Sequence, residues 1–431
     1  MTECSGSPRD ISNVNKKIFK KQATTSLGSL TDPNGVILDP QSSIELAANT
    51  HFADSLPIDA SSERRKNKNA ILAEDEVGPP SPTPSLPNSQ PSGNKWLYPH
   101  QYKDHPEDPI VNIEDPRVNF ITPEKVKFAL DSFGDIKAPG PDGILPIVLK
   151  HVGDLTILRI TNLFKAIALI GKVPSLWMES KVVLLAKQGK DNYADPNSYR
   201  PISLMVFLLK AYEKIWLWHI EATTMVAKPL SHYQHGFRSG RSTETCVTVF
   251  AQRVEYSLIK DDFVMAIFGD LIGAYNNASY DIIKRCLIEW KFDELFINWF
   301  MHYLYNRTIS ITYKGITVKR KCTRGVSQGS CLSPLIFDLV MDAILNMFDY
   351  DIGDLPMVDG RGKRLSRIGR QQRNRPVKRG KIYTSGFADD TCFYIAGRNL
   401  VEMQQKLQIV MDFAAQWAAE ATMGFSHKKL K

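Results

Sequence analysis

Three carboxylates at the ends of two apolar runs are the side chains of this sequence best suited to holding a divalent cation. Lys381 to Phe387 reads as a short strand, and Asp389 and Asp390 follow within Phe387-Ala388-Asp389-Asp390. Side chains alternate between the faces of a strand, so adjacent acids there belong to a strand end or a tight turn. Far upstream, Phe263-Val264-Met265-Ala266-Ile267-Phe268-Gly269 also ends on an acid, Asp270, with the aromatic Tyr275 a few residues on. Two strands ending in acids can be sheet neighbours whose carboxylates converge on shared ions. Paired Mg²⁺ ions about 3.5–4 Å apart clamp the attacking and leaving oxygens of a phosphoryl transfer. Mg²⁺ also prefers one or two carboxylates plus substrate phosphates to a cage built from protein alone. Taken singly, each acid reads as an ordinary turn residue; their combination points to metal-dependent phosphoryl transfer.

Between these acids lies Arg324-Gly325-Val326-Ser327-Gln328-Gly329-Ser330-Cys331-Leu332-Ser333-Pro334, opening an apolar helical stretch through Leu345. Glycines and small polar residues let backbone approach a ligand closely, with Ser333 as helix cap and Pro334 in the first turn. The ordered set Asp270-x4-Tyr275, Gly-x2-Gln-Gly-Ser-x-Leu-Ser-Pro and Phe-Ala-Asp-Asp resembles the palm motifs of reverse transcriptases. The subgroup it resembles is that of non-LTR (LINE-type, jockey-like) retrotransposons. Upstream, Lys137-Ala138-Pro139-Gly140-Pro141-Asp142-Gly143-Ile144, Lys187-Gln188-Gly189-Lys190 with Ser198 to Leu204, and Gln234 to Thr243 resemble further family segments in family order. Trp417 to Lys429 resembles the start of the last palm motif, so the resemblance runs from about Thr122 to the C-terminus.

The resemblance implies an RNA-directed DNA polymerase that adds deoxynucleotides to a primer 3′-OH, with an RNA template, a DNA primer and deoxynucleoside triphosphates as partners. Asp270 and Asp389 would hold two Mg²⁺ ions, with Mn²⁺ a possible substitute; Asp390 is the weaker ligand candidate. Lys187 and Arg200 match cations that clamp the triphosphate, although by type alone each is a surface cation. Tyr275 matches a steric gate against the ribose 2′-OH, the alternative being an ordinary core aromatic. Gln328 and Gly329 would line the nucleotide and template pocket, and Lys429 aligns with a basic residue beside the pyrophosphate. Arg238 and Arg241 are candidate nucleic-acid contacts. The sequence departs from the family pattern at Ile272, Asn276 and Ser327, where Glu, Asp and Pro are usual, and at Ala186 and Gln188, where prolines are usual. These departures, and an end at Lys431 ahead of any thumb, read as a truncated copy of an element. A weakly active or inactive nucleic-acid-binding remnant is therefore the alternative reading.

The formal charge is +8, yet ten Lys and Arg and no acid fall between Arg361 and Lys381, which leaves the rest of the chain at −2. That run, with Arg364, Arg367, Arg370 and Arg373, is either a solvated loop or a phosphate-contacting segment just before the acidic strand. Six scattered cysteines without a Cys-x2-Cys pair read as reduced thiols. No signal peptide opens the chain, and Leu204 to Trp218 is too short and too interrupted by charge to span a bilayer. The localisation implied is intracellular, nuclear or cytoplasmic, without membrane contact.

Elements that could position the motifs follow from periodicity. Helical patterns cover Leu155–Ile170, Leu204–Met225, Thr243–Lys260, Asp281–Trp290, Leu335–Phe348 and Asn399–Ala421, and a further helix starts at Thr122-Pro123. Strand-like runs are Lys181–Leu185, Val264–Phe268, Ile309–Tyr313, Val318–Cys322 and Lys381–Phe387. The fold class expected is α+β, a right-hand fingers–palm polymerase with a mixed sheet and helices on one face. Residues 1–95, rich in Ser, Asn and Pro, are expected to form a disordered tail, 96–121 a linker, 122–260 the fingers and the approach to the palm, and 261–431 the palm.

Overall fold

Alternating apolar residues build two sheets rather than one. A computed structural model describes residues 27–58, 111–346 and 381–426. Its strands are β1 (Leu56–Pro57), β2 (Glu179–Ala186), β3 (Tyr199–Leu204), β4 (Phe263–Asp270), β5 (Thr308–Tyr313), β6 (Ile316–Lys321), β7 (Ile382–Phe387) and β8 (Asp390–Gly397). The first sheet has the order β1-β6-β5-β2-β3, with β2 and β5 parallel and its other pairs antiparallel. The second is antiparallel throughout, in the order β4-β8-β7. The longer helices are α1 (Pro40–His51), α2 (Pro123–Asp131), α3 (Asp154–Ile170), α4 (Phe207–Ala222), α5 (Thr243–Ile259), α6 (Tyr280–Glu289), α7 (Glu294–Asn306), α8 (Ser333–Asn346) and α9 (Leu400–Glu420).

Local chemistry explains the boundaries. Thr122 caps α2 by accepting from the Lys125 N–H at 3.3 Å, with Pro123 in the first turn. Ser242 and Thr245 form a reciprocal capping box at the start of α5. Lys314 and Gly315, both at positive φ, close the two-residue hairpin between β5 and β6, the conformation that matches strand twist.

The main core lies among the helices, where Tyr212 and Trp216 of α4 meet Phe296 and Trp299 of α7 with ring centroids 4.8–5.4 Å apart. It continues onto the β4-β8-β7 sheet through Phe393 and Ile395, which share a cluster with Leu345 of α8 and with Leu407 and Val410 of α9. On the opposite face α5 lays Phe250 against Phe268 and Tyr394, 5.8 and 5.0 Å away. Helices thus cover both faces of the acidic sheet, and the mixed sheet is the other one. This corrects the expected single mixed sheet with helices on one side. The physical reason is that β8 is apolar along nearly its whole length, so both of its faces need cover.

Two segments also pack differently from the expectation. The hairpin of β5 and β6, expected in the palm, pairs through β5 with β2. Residues 27–58, expected within a disordered tail, pack on the first sheet. Leu30, Ile44, Ala47 and Ala48 are fully buried with Val182, Leu184, Tyr199, Ile309, Ile311 and Val318. Glu45 of α1 pairs with Arg320 of β6, and β1 adds to the sheet edge at Leu56↔Lys321. Apolar side chains at helical spacing are enough to dock this segment, even though its surroundings in sequence are polar. The rest of 1–95, the basic run from Arg361 to Gly380 and Lys429 lie outside the described residues. Among the described residues, no helix is long and apolar enough to cross a membrane.

Candidate active site at the acidic sheet end

Pairing of β4 with β8 in full register places Asp270 directly opposite Asp390. Directly opposed residues of an antiparallel pair project from the same face. The two carboxylates therefore share the α5 side of the sheet, at its end. Asp389 occupies the two-residue turn between β7 and β8, beside Ala388 at φ 57°. A non-glycine residue in that region is strained, and surroundings that over-determine the conformation must hold it.

Those surroundings are the segment Ser231–Arg241. The His235 N–H donates to the Gly386 carbonyl and the Gly386 N–H to the Tyr233 carbonyl, both at 2.8 Å. Gly236 then meets the turn so closely that a Cβ there would lie 2.4 Å from the Ala388 nitrogen. Only glycine permits this contact. Arg238 donates to the carbonyls of Ser231 at 2.5 Å and Gln234 at 3.2 Å, and Arg241 donates to those of His232 and Gln234. Both expected nucleic-acid contacts thus fasten this segment to itself.

The Arg324–Leu332 loop forms the adjacent wall. The Val326 N–H donates to the Tyr275 carbonyl at 2.7 Å, and the Ser203 N–H to the Gln328 carbonyl at 2.7 Å. Gly329, at φ 130°, has room for no side chain, because a Cβ would sit 2.6 Å from the Ser203 carbonyl oxygen. Tyr275 stacks on Phe337 at 4.8 Å, and burial, Asp338 and Asp389 push its phenol pKa up. Tyr275 thus lies near Asp389, while Gln328 and Gly329 lie against Ser203 of β3. Arg200 lies exposed on β3, opposite in facing to the buried Tyr199 that packs on the α1 segment. Lys187 follows β2, where its Nζ donates to the Asn197 carbonyl at 2.8 Å. The structure thus puts it at the base of the β2–β3 loop. Of the departures, Ile272 is exposed and Ser327 is buried, its hydroxyl taking a hydrogen bond from Arg307 Nη1 at 2.8 Å.

Among the described residues no group of three or more His, Cys, Asp or Glu side chains is assembled as a metal cage. The donors present fit Mg²⁺ that arrives with substrate: all are hard carboxylate oxygens, and such an ion takes few protein ligands beside phosphate.

Several buried charges beside the site lack an evident signal in the sequence. Glu213 and Arg307 contact the Arg324–Leu332 loop, and Asp338 lies behind Tyr275. Burial pushes the Asp338 carboxyl up to about 8 against the pull of Arg238, and its Oδ1 has no hydrogen bond among the described residues. It therefore binds its proton more readily folded than unfolded. The stability it contributes is complete below its ordinary 3.8 and is lost as pH rises through about 8. Denaturation midpoints should fall as pH rises from about 4 to about 8 and level off above that, and Asp338→Asn should reduce that fall. Equal slopes for parent and variant would show that Asp338 does not titrate there.

A family model described as reverse transcriptase (RNA-dependent DNA polymerase) matches residues 186–431. The Pol polyprotein of the R1 element of Bradysia coprophila is 31% identical over 209 residues, 48% of this chain and 20% of that protein. The RNA-directed DNA polymerase of mobile element jockey from Drosophila funebris is 24% identical over 305 residues, covering 70% of this chain and 30% of its own length. A probable RNA-directed DNA polymerase from the X-element of Drosophila melanogaster is 25% identical over 297 residues, 68% of this chain and 29% of that protein. The chain thus spans less than a third of the length of each of these relatives.

Proposed function

The chain belongs to the reverse transcriptases, and from that premise we propose that it is an RNA-directed DNA polymerase of a non-LTR retrotransposon. Its substrates are deoxynucleoside triphosphates, and its nucleic-acid partners are an RNA template and a DNA primer. The observation that carries this reading is the register of β4 with β8. It brings Asp270 and Asp390 to one sheet end, next to the Asp389 turn and near Tyr275.

Asp270 and Asp389 hold the divalent ions, and Asp390, opposite Asp270, completes the acidic cluster. Mg²⁺ bound there supplies charge stabilisation for the attacking 3′ oxygen and the departing pyrophosphate. Gln328 and Gly329 present backbone to the incoming nucleotide. Exposed Arg200 reaches the triphosphate from the face of the first sheet opposite α1, and Lys187 contributes positive charge nearby. Lys429 and the run containing Arg364, Arg367, Arg370 and Arg373 contact phosphates, while Arg238 and Arg241 serve chiefly by fixing the Asp389 turn. Extension of a DNA primer on an RNA template, dependent on Mg²⁺ and absent in Asp389→Ala, tests the assignment.

Tyr275 acts as the steric gate. Its ring is held by Phe337 on one side and meets Phe237 edge-on at 6.1 Å, so it cannot swing aside cheaply for a 2′-OH. Tyr275→Ala should raise ribonucleotide incorporation by about tenfold or more relative to deoxynucleotide, as expected when a steric exclusion of about 1.4 kcal/mol is removed. Deoxynucleotide use that falls with no gain in ribonucleotide would make Tyr275 a packing residue only.

A further inference from the structure

The Arg324–Leu332 loop carries Gln328 and Gly329, yet neither glycines nor short polar residues can hold a loop still. Two buried charges lie beneath it. At its start, Arg307, 2% exposed, donates to the carbonyls of Arg324 at 3.0 Å and Gly325 at 3.2 Å and to Ser327 Oγ at 2.8 Å. At its end, Glu213 of α4, fully buried, accepts from Ser330 Oγ and from the Cys331 N–H, each at 2.8 Å. Ser330 Oγ in turn accepts from the N–H groups of Leu332 and Ser333 at 3.1 and 3.2 Å, which joins Glu213 to the start of α8.

We propose that Glu213 is a positioning residue, whose carboxylate fixes the Gln328–Gly329 segment for the nucleotide from behind while Arg307 fixes its other end. The donor count requires a carboxylate. Both Glu213 oxygens receive hydrogen bonds, and Ser330 has spent its lone pairs on two backbone donors, so its own proton must go to Glu213. An amide in that place satisfies one partner and sets N–H against N–H at the other, or leaves the Ser330 proton without an acceptor.

The consequence for nucleotide binding rests on the polymerase reading; the consequence for the loop does not. The test is Glu213→Gln in the full chain near pH 8, where the parent carboxyl, raised by burial to about 7, is ionised. Amide hydrogen exchange of 328–333 should quicken by about tenfold, as expected for one unsatisfied buried donor, with β4 and β8 unchanged. The KM for deoxynucleotide should rise by about tenfold with kcat altered less. Ser330→Ala should do the same alone and add little to Glu213→Gln, since the two share one network. Glu213→Asp should recover part of the KM.

Unchanged exchange in 328–333 would overturn the proposal. So would exchange that quickens everywhere, with KM fixed and rate falling with the folded fraction, because that marks a general packing role. If the parent extends no primer, the polymerase reading fails, and the exchange measurement alone still decides whether Glu213 holds the loop.

Discussion

Asp270→Asn and Asp389→Asn should each slow primer extension by about 10³-fold or more, the scale expected when several kcal/mol of metal-borne charge stabilisation is lost. Each should leave the thermal midpoint nearly unchanged. The amide keeps the size of the side chain but removes the charge that holds the ion. Neither position supports the fold through packing, since both are half-exposed at a sheet end and the β4–β8 ladder is made by backbone. Extension at parental rate by either variant would sink the assignment. Loss of rate with a lowered midpoint would instead locate the defect in folding. Asp390 tests the register: its position opposite Asp270 makes Asp390→Asn more damaging than a merely tuning residue would be.

A second large effect concerns the N-terminal segment. Ile44→Ala should cost about 2–5 kcal/mol, the usual price of emptying a fully buried aliphatic site. Ile44 is 0% exposed and sits in the cluster with Ile309, Ile311 and Tyr199. Removing residues 1–58 should cost more, because it bares one face of the β2–β3–β5–β6 sheet to water. Equilibrium unfolding in denaturant measures both. A midpoint identical to the parent's in either variant would mean that α1 does not rest on the sheet. The same deletion should reduce deoxynucleotide use, because Arg200 stands on the other face of the strand that α1 supports.

The motifs with dense, distinctive residue types were legible in the sequence. Asp270, Asp389 and Asp390, the glycine loop before α8, and most of the apolar strands and helices could be read from type and period. What escaped did so for identifiable reasons. Strand β8 runs Thr391-Cys392-Phe393-Tyr394-Ile395 without alternation, because both faces are buried, so it gives no period to detect. Helix α7 is similarly apolar nearly all round. Helix α1 buries Ser43, Ala47, Ala48 and His51 besides Ile44, and small or polar residues on a buried face look like a loop. Glu213, Arg307 and Asp338 are charged residues within helices or at a helix end, where solvated charges are the rule. Only the fold shows that their side chains turn inward. Arg238 and Arg241 carry a role that residue type does not show: each donates to nearby backbone carbonyls.

The contact between Gly236 and Ala388 also bears on how this site can change over evolutionary time. The distance between the two segments is set by one backbone touching another, with the Arg238 and Arg241 side chains holding the shape of the segment that carries Gly236. Positions that do not hold this contact can change while the acidic turn stays where it is. Position 236 has no such tolerance, because any replacement brings a Cβ to within 2.4 Å of the turn. A single codon change there would move Asp389 while leaving every carboxylate in the sequence intact. A lineage could therefore lose catalysis at a residue that has no side chain and takes no part in the chemistry.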